Sequence, residues 1–305
     1  MRMRPIAAGL TAVAAAAAAM AFGAQASVAG LPGSGKPPIV IGDKNFAEEY
    51  ILGALYAQAL KAQGYSVTLK NNIGSSEITW KALQSGQIGL YPEYTGTLLS
   101  AIAEDTTNPT SASAAYSQAS AYASKHGFTL LKATPFYDSD ALAALSSYAN
   151  KHHLTSIPQL KALGKSVILG AAPEFATRFE GLLGLKKDYG INPTFKPIAI
   201  GVSYEALDSG KVDVQDVFTT DGQLAAKGKY VILKDPDHVF GFQNVAPVVK
   251  TSLISKEGPA FAATLNKVDA LLTRQAMQQM NKAVSLDQIS PATVAAAFLK
   301  ANHLG

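Results

Sequence analysis

The sequence predicts an α/β protein of two similar lobes, each a mostly parallel sheet with flanking helices. Three observations carry this. Short apolar runs alternate with helix-spaced segments along the chain. One motif of the first half returns in the second. The chain has 305 residues, 48% hydrophobic and 16% charged, enough for the cores of about two domains.

The elements follow in order. Arg2 and Arg4 precede an Ala-rich run from Ile6 to Phe22, and Ala24-Gln25-Ala26 places small residues around a cut. A positive start, a short apolar stretch and an A-x-A site read as a cleavable export signal over 1–26. The run is too short and too Ala-rich for a membrane span. Residues 27–38 are rich in Gly and Pro and read as a flexible linker. Ile39-Val40-Ile41-Gly42 reads as a buried strand. Asn45 to Gln63 has helical spacing through Phe46, Ile51, Leu52, Leu55 and Ala59. Gly64 ends it, and Tyr65 to Leu69 alternates as a second strand. Gly74-Ser75-Ser76 offers an N-cap to a helix over Glu77–Gln84, closed by Ser85-Gly86. Ile88 to Tyr91 opens a third strand. The β-α-β-α-β order implies parallel strands.

The repeat then sets the plan. Trp80-Lys81-Ala82-Leu83-Gln84-Ser85-Gly86 returns as Tyr204-Glu205-Ala206-Leu207-Asp208-Ser209-Gly210. The same register aligns Tyr94-Thr95 with Phe218-Thr219, and Ile39 to Gly42 resembles Val167 to Gly170. Two copies are too few for a solenoid and suit two lobes. The lobes divide as 39–139 with 246–305, and 140–245. Phe136–Leu142 and Phe240–Val249 read as crossovers, and the helical stretch Ser255–His303 returns to the first lobe. A cleft at the C-terminal strand ends is the natural place for a ligand.

Composition removes several functions. The formal charge is +4, and cleavage after Ala26 takes two arginines with it. No Lys/Arg stripe favours nucleic acid. There is no cysteine, which excludes disulfides, thiol catalysis, Cys-type zinc sites and a lipidated N-terminal Cys. A freely diffusing monomer in the periplasm is expected. Asp138-x-Asp140 lacks the further ligands of a calcium loop, and adjacent His152 and His153 point apart, so no metal or other cofactor is implied. Gly33-Ser34-Gly35-Lys36 follows no strand and is no phosphate loop. No G-x-S-x-G elbow appears.

Several motifs resemble those of the glycine betaine/choline-binding proteins of ABC importers. They are Gly42-Asp43-Lys44-Asn45-Phe46, Tyr91-Pro92-Glu93-Tyr94-Thr95-Gly96-Thr97, Pro173-Glu174-Phe175 with Arg178, Phe218-Thr219-Thr220-Asp221-Gly222, and Ala246-Pro247-Val248-Val249. They run in order over roughly residues 39 to 303. The resemblance implies the two-lobed periplasmic binding protein fold of type II, closing on a small ligand, with an inner-membrane permease as partner. It implies no enzymatic step.

The resemblance also assigns a site. Lys44, Thr97 and Arg178 stand where the family binds a carboxylate, with Asn45 beside Lys44. Tyr94 and Phe218 stand at cage positions, with Thr219 next to Phe218. A quaternary ammonium has no N–H and is held by ring faces, each worth roughly 0.5–2 kcal/mol. Two cage positions depart from the family. Asp140 replaces a ring, with Asp138 nearby, and Gln243 replaces another unless a one-residue slip restores Phe242. A carboxylate there suits a cation that donates hydrogen bonds. Glycine betaine, choline or a related betaine is thus one ligand class. A cationic amino acid or imidazole betaine is the other, and an exported enzyme or a sensor are alternative uses of the scaffold. Hinges are expected near 138–142 and 243–247.

Overall fold

The computed structural model describes residues 30–225 and 228–305. The export signal expected over 1–26 lies outside the described residues.

Two mixed sheets form, each five-stranded among the described residues. The first half supplies β1 (Ile39–Gly42), α1 (Ala47–Ala62), β2 (Val67–Lys70), α2 (Ser76–Ser85) and β3 (Leu90–Tyr94). Then come α3 (Thr95–Thr97), which runs into a π-turn at Leu98–Ile102, α4 (Ala112–Lys125) and β4 (Phe128–Leu130). The second half supplies β5 (Asp140–Leu145), α5 (Ser146–His152), β6 (Ile168–Ala171), α6 (Gly184–Tyr189), β7 (Thr194–Pro197), α7 (Ser203–Asp208), β8 (Val214–Phe218) and β9 (Tyr230–Ile232). The chain ends with β10 (Val245–Lys250), α8 (Thr251–Glu257), α9 (Pro259–Asp269), α10 (Arg274–Ser285) and α11 (Pro291–Ala301).

The sheet orders are β2-β1-β3-β10-β4 and β7-β6-β8-β5-β9. They are the same order with the crossover strands exchanged. β10 runs antiparallel between β3 and β4, and β5 runs antiparallel between β8 and β9. The remaining strands of each sheet share one direction. The repeat seen in the sequence therefore has a three-dimensional meaning. Its Ser-Gly ends are helix stops: Gly86 after α2 has φ 82° and Gly210 after α7 has φ 68°. Both sit in the left-handed region that glycine adopts without strain.

Each sheet is covered on both faces, as sheets with crossover helices require. β1 and α1 share one apolar cluster with Phe261, Leu265, Met277, Val294 and Leu299, so the C-terminal helices pack on the first sheet. Its other face holds Trp80, Phe128 and the alanines of α4. The second sheet is covered by Leu160, Phe175 and Leu185 on one face and by Ile198, Ala206 and Leu207 on the other.

Two local expectations shift. The third strand starts at Leu90 rather than Ile88, because the backbone of Gln87 and Ile88 is still bonded to Ala82. The described part of the linker, 30–38, is folded against the first lobe rather than free. Gly33 N–H donates to Gln63 O at 2.9 Å, and a Cβ there would meet Tyr65 N at 2.3 Å.

Candidate functional site

The strand ends of the two sheets converge on a narrow cavity between the lobes, with about 50 Å³ of free space. Its wall includes Lys44, Asn45, Tyr94, Thr97, Asp138, Asp140, Arg178, Phe218 and Gln243 of the expected residues.

The first-lobe wall begins where β1 ends at Gly42. Lys44 is buried, and its Nζ lies 2.6 Å from Glu93 Oε1, 3.7 Å from Glu49 Oε1 and 3.2 Å from Ser76 Oγ. The same ammonium sits 4.4 Å from the Tyr94 ring centroid. Phe46, the N-cap of α1, stacks on Phe218 with centroids 5.3 Å apart and lies 6.0 Å from the Tyr94 ring. Tyr94 Oη donates to Glu48 Oε1 at 2.8 Å. Glu48 also accepts from Thr220 Oγ1 and Asn281 Nδ2. This carboxyl thereby ties α1, β3 and α10 to the end of β8.

Gln243 and Phe242 resolve as neighbours facing different ways. Gln243 Oε1 accepts the Thr97 N–H at 2.9 Å, and its Nε2 donates to Glu180 Oε2 at 2.7 Å. A Cβ on Gly96 would meet Gln243 at 2.6 Å, so this amide needs a glycine opposite it. Phe242 turns from the cavity wall and stacks on His238 at 5.4 Å. Thr219 also lies off the wall. Its Oγ1 donates to Asp138 Oδ1 at 3.2 Å and accepts from the Ser139 N–H. These two residues support the site rather than line it.

The groups expected to receive a ligand carboxylate are engaged by protein carboxylates. Arg178 grips Glu77 with two bonds, Nε to Oε1 at 2.9 Å and Nη2 to Oε2 at 3.0 Å. Burial opposes the charge on Glu77, but the Arg178 bonds hold its carboxyl down at about 2. Glu77 opens α2 and Arg178 follows the turn at Pro173–Ala176, so this pair crosses the cleft. Thr97 Oγ1 donates to Glu180 at 3.3 Å, and Lys44 belongs to Glu93 and Glu49.

The second-lobe wall is acidic. Asp140 and Asp216 are diagonal neighbours on the β5–β8 ladder, which pairs Asp140 with Phe218 and Leu142 with Asp216. Diagonal side chains share one face of a sheet. Burial, with Glu180 close by, pushes the Asp140 carboxyl up to about 7. Burial and the Asp140 charge push Asp216 well above the usual carboxylate range. Asp138 is raised by burial and then by Glu48, though it accepts the Thr220 N–H at 2.9 Å. Beyond the Phe46–Phe218 stack the cleft continues into a wider groove between α10 and α7, which shares Asp138 and Asp216 with the cavity.

Sequence reasoning missed Phe46, Ser76, Glu174, Glu180 and Asp216 as wall residues. Asp216 carried a signal. It is a charge inside an apolar strand, two residues before Phe218 and so on the same face. Glu180 carried none, because its position depends on an irregular turn after Arg178, where Gly181 has φ −151° and ψ −138°.

No group of His, Cys, Asp and Glu that could hold a metal ion occurs among the described residues. No helix among them is long and apolar enough to cross a membrane.

A family model described as the substrate binding domain of ABC-type glycine betaine transport system matches residues 37–301. A glycine-betaine-binding protein of Pseudomonas aeruginosa is 33% identical over 276 residues, covering 87% of this chain and 88% of the relative. The glycine betaine-binding protein YehZ of Escherichia coli is 28% identical over 283 residues, covering 88% and 92%. A crystal structure of a glycine betaine/carnitine/choline ABC transporter superposes with a TM-score of 0.70 at 27% identity, covering 88% of this chain and 99% of that one.

Proposed function

The chain belongs to the family of substrate-binding domains of ABC-type glycine betaine transport systems, and from that premise we propose that it captures one compact organic cation or zwitterion between its lobes. A small-molecule ligand and an ABC permease are the partners that membership implies.

One observation carries the charge assignment. The rings of Phe46, Tyr94 and Phe218 face the same cavity as the carboxyls of Asp138, Asp140, Glu174, Glu180 and Asp216. Ring faces and carboxylates both attract a positive group. Glycine betaine, choline and carnitine, the ligands in the names of relatives, are small cations or zwitterions.

The remaining parts of the reading rest on this one. The lobes run 39–139 with 246–305, and 140–245. They hinge where the crossovers lie side by side, joined by the Tyr137–Asn244 bridge and the Asp138 N–H to Gln243 O bond at 3.1 Å. Residues 1–26 direct export to the periplasm, and the mature chain acts as a monomer without chemistry on its ligand.

Calorimetric titration with glycine betaine, choline, carnitine, ergothioneine and arginine tests this. At least one should bind one to one and be recovered with unchanged mass. Dimethylbutanol, the neutral carbon isostere of choline, should fail to bind. Should it bind as tightly as the best cation, the charge reading is lost.

A further inference from the structure

The two sides of the cavity treat their charges differently. Both cations on its wall are balanced by protein carboxylates. Lys44 is held by Glu93 and Glu49, and Arg178 by two bonds from Glu77. Among the described residues, Asp140 and Asp216 of the second lobe have no such ion pair, while Glu180 has Arg178 at 3.6 Å. Asp216 Oδ1 is buried and receives no hydrogen bond from a donor among the described residues, whereas Glu180 accepts from Gln243 and Thr97. Glu180 and Asp216 are 2% and 8% exposed and both line the cavity. Arg178 Nη1 stands 3.6 Å from Glu180 Oε1, about as far as Lys44 Nζ from Glu49, so Asp216 is the carboxyl left most open.

A buried oxygen left without a donor costs free energy, and a ligand that supplies the donor recovers it. A trimethylated nitrogen brings charge but no N–H. It would cover the Asp216 oxygen and leave it unpaired. An ammonium or a guanidinium brings three or more donors, and a guanidinium's planar fork suits two carboxylates on one sheet face.

We propose that the ligand's cationic end carries N–H groups, as a primary ammonium or a guanidinium, and that Asp140, Asp216 and Glu180 bind them directly. This assigns the substrate class of the site described above and rests on that reading.

The test is calorimetry on the full chain with two methylation ladders, ethanolamine to choline and glycine to glycine betaine, together with agmatine and arginine. Within each ladder affinity should fall at least about tenfold from the unmethylated to the trimethylated rung. Agmatine and arginine should bind more tightly than choline. A trimethylated rung that matches or exceeds its unmethylated partner overturns the N–H assignment and leaves the transport reading standing. Absence of saturable binding by every probe overturns both. Asp216→Asn, and Asp140→Asn as a second variant, keep the side-chain volume. Each should cost the N–H probes about tenfold and the trimethylated rungs less than twofold. Equal losses along a ladder would mark these residues as structural only and overturn the proposal.

Discussion

The ends of β3 and β8 occupy equivalent places in the repeat, yet they handle buried charge in opposite ways. At the end of β3, Glu93 accepts from Lys44 at 2.6 Å, from Tyr91 Oη at 2.8 Å and from the Tyr94 N–H at 2.7 Å. At the end of β8, Asp216 faces Asp140 and keeps one oxygen without a donor. The first is an internal ion pair that fixes the turn before α1. The second is acidity held in reserve. A buried charge with its partner belongs to the fold, and a buried charge without one belongs to whatever the cleft receives.

Lys44→Met is the strongest way to break this contrast. It strands Glu93 and Glu49 in the core without a cation, and loss of one partner of a buried pair costs about 3–5 kcal/mol. Urea unfolding should show a loss of this size. An intact midpoint would mean that the two carboxyls do not need the lysine.

Asp216→Asn sharpens the contrast from the other side. It removes a strained acid, so the melting temperature of the ligand-free protein should stay level or rise. A fall of several degrees would show that Asp216 holds the β5–β8 edge together.

A smaller effect comes from pH. The Asp140 carboxyl is faced by Asp216 on β8, and by Glu174, Arg178 and Glu180 on the turns after β6. Its folded value of about 7 lies above the ordinary 3.8, so between these values the folded chain holds a proton that the unfolded chain has lost. The Asp140 contribution to stability is therefore present below about pH 4 and is lost as pH rises toward 7. Melting curves of wild type and Asp140→Asn should converge at low pH and separate in this window, with the variant less pH-dependent. Parallel curves would remove Asp140 from the account.

The smallest effect concerns the clasp across the cleft. Glu77 is about one-third exposed, so Glu77→Gln should cost modest stability while shifting ligand-free molecules toward an open form. Small-angle scattering should read a larger radius of gyration, and an unchanged curve would mean that Glu77–Arg178 does not hold the lobes together.

Much of the fold was legible because it repeats locally. The strand at Ile39, the helix through Leu52 and Leu55, and the Ser-Gly stops at Gly86 and Gly210 each follow from spacing and backbone freedom. The cavity wall was legible where motifs carried it, as at Lys44, Tyr94, Asp140 and Phe218. It failed where a residue's role depends on a partner far away in sequence. Arg178 read as a free clamp because nothing local shows that Glu77, 101 residues earlier, closes on it. Phe242 and Gln243 looked interchangeable until the Gly96 approach fixed which one enters.

The return of α9, α10 and α11 to the first sheet sets an order of assembly. The lobe of β5 to β9 is one unbroken stretch of chain and can complete its core as soon as that stretch is free. The other lobe cannot. Ile39, Leu52 and Leu55 have their wall only when Phe261, Met277 and Leu299 arrive. A chain emerging N-terminus first thus carries an open core until its last helices appear, and such long-range closure is slow. The C-terminal helices are therefore the step that locks the finished molecule.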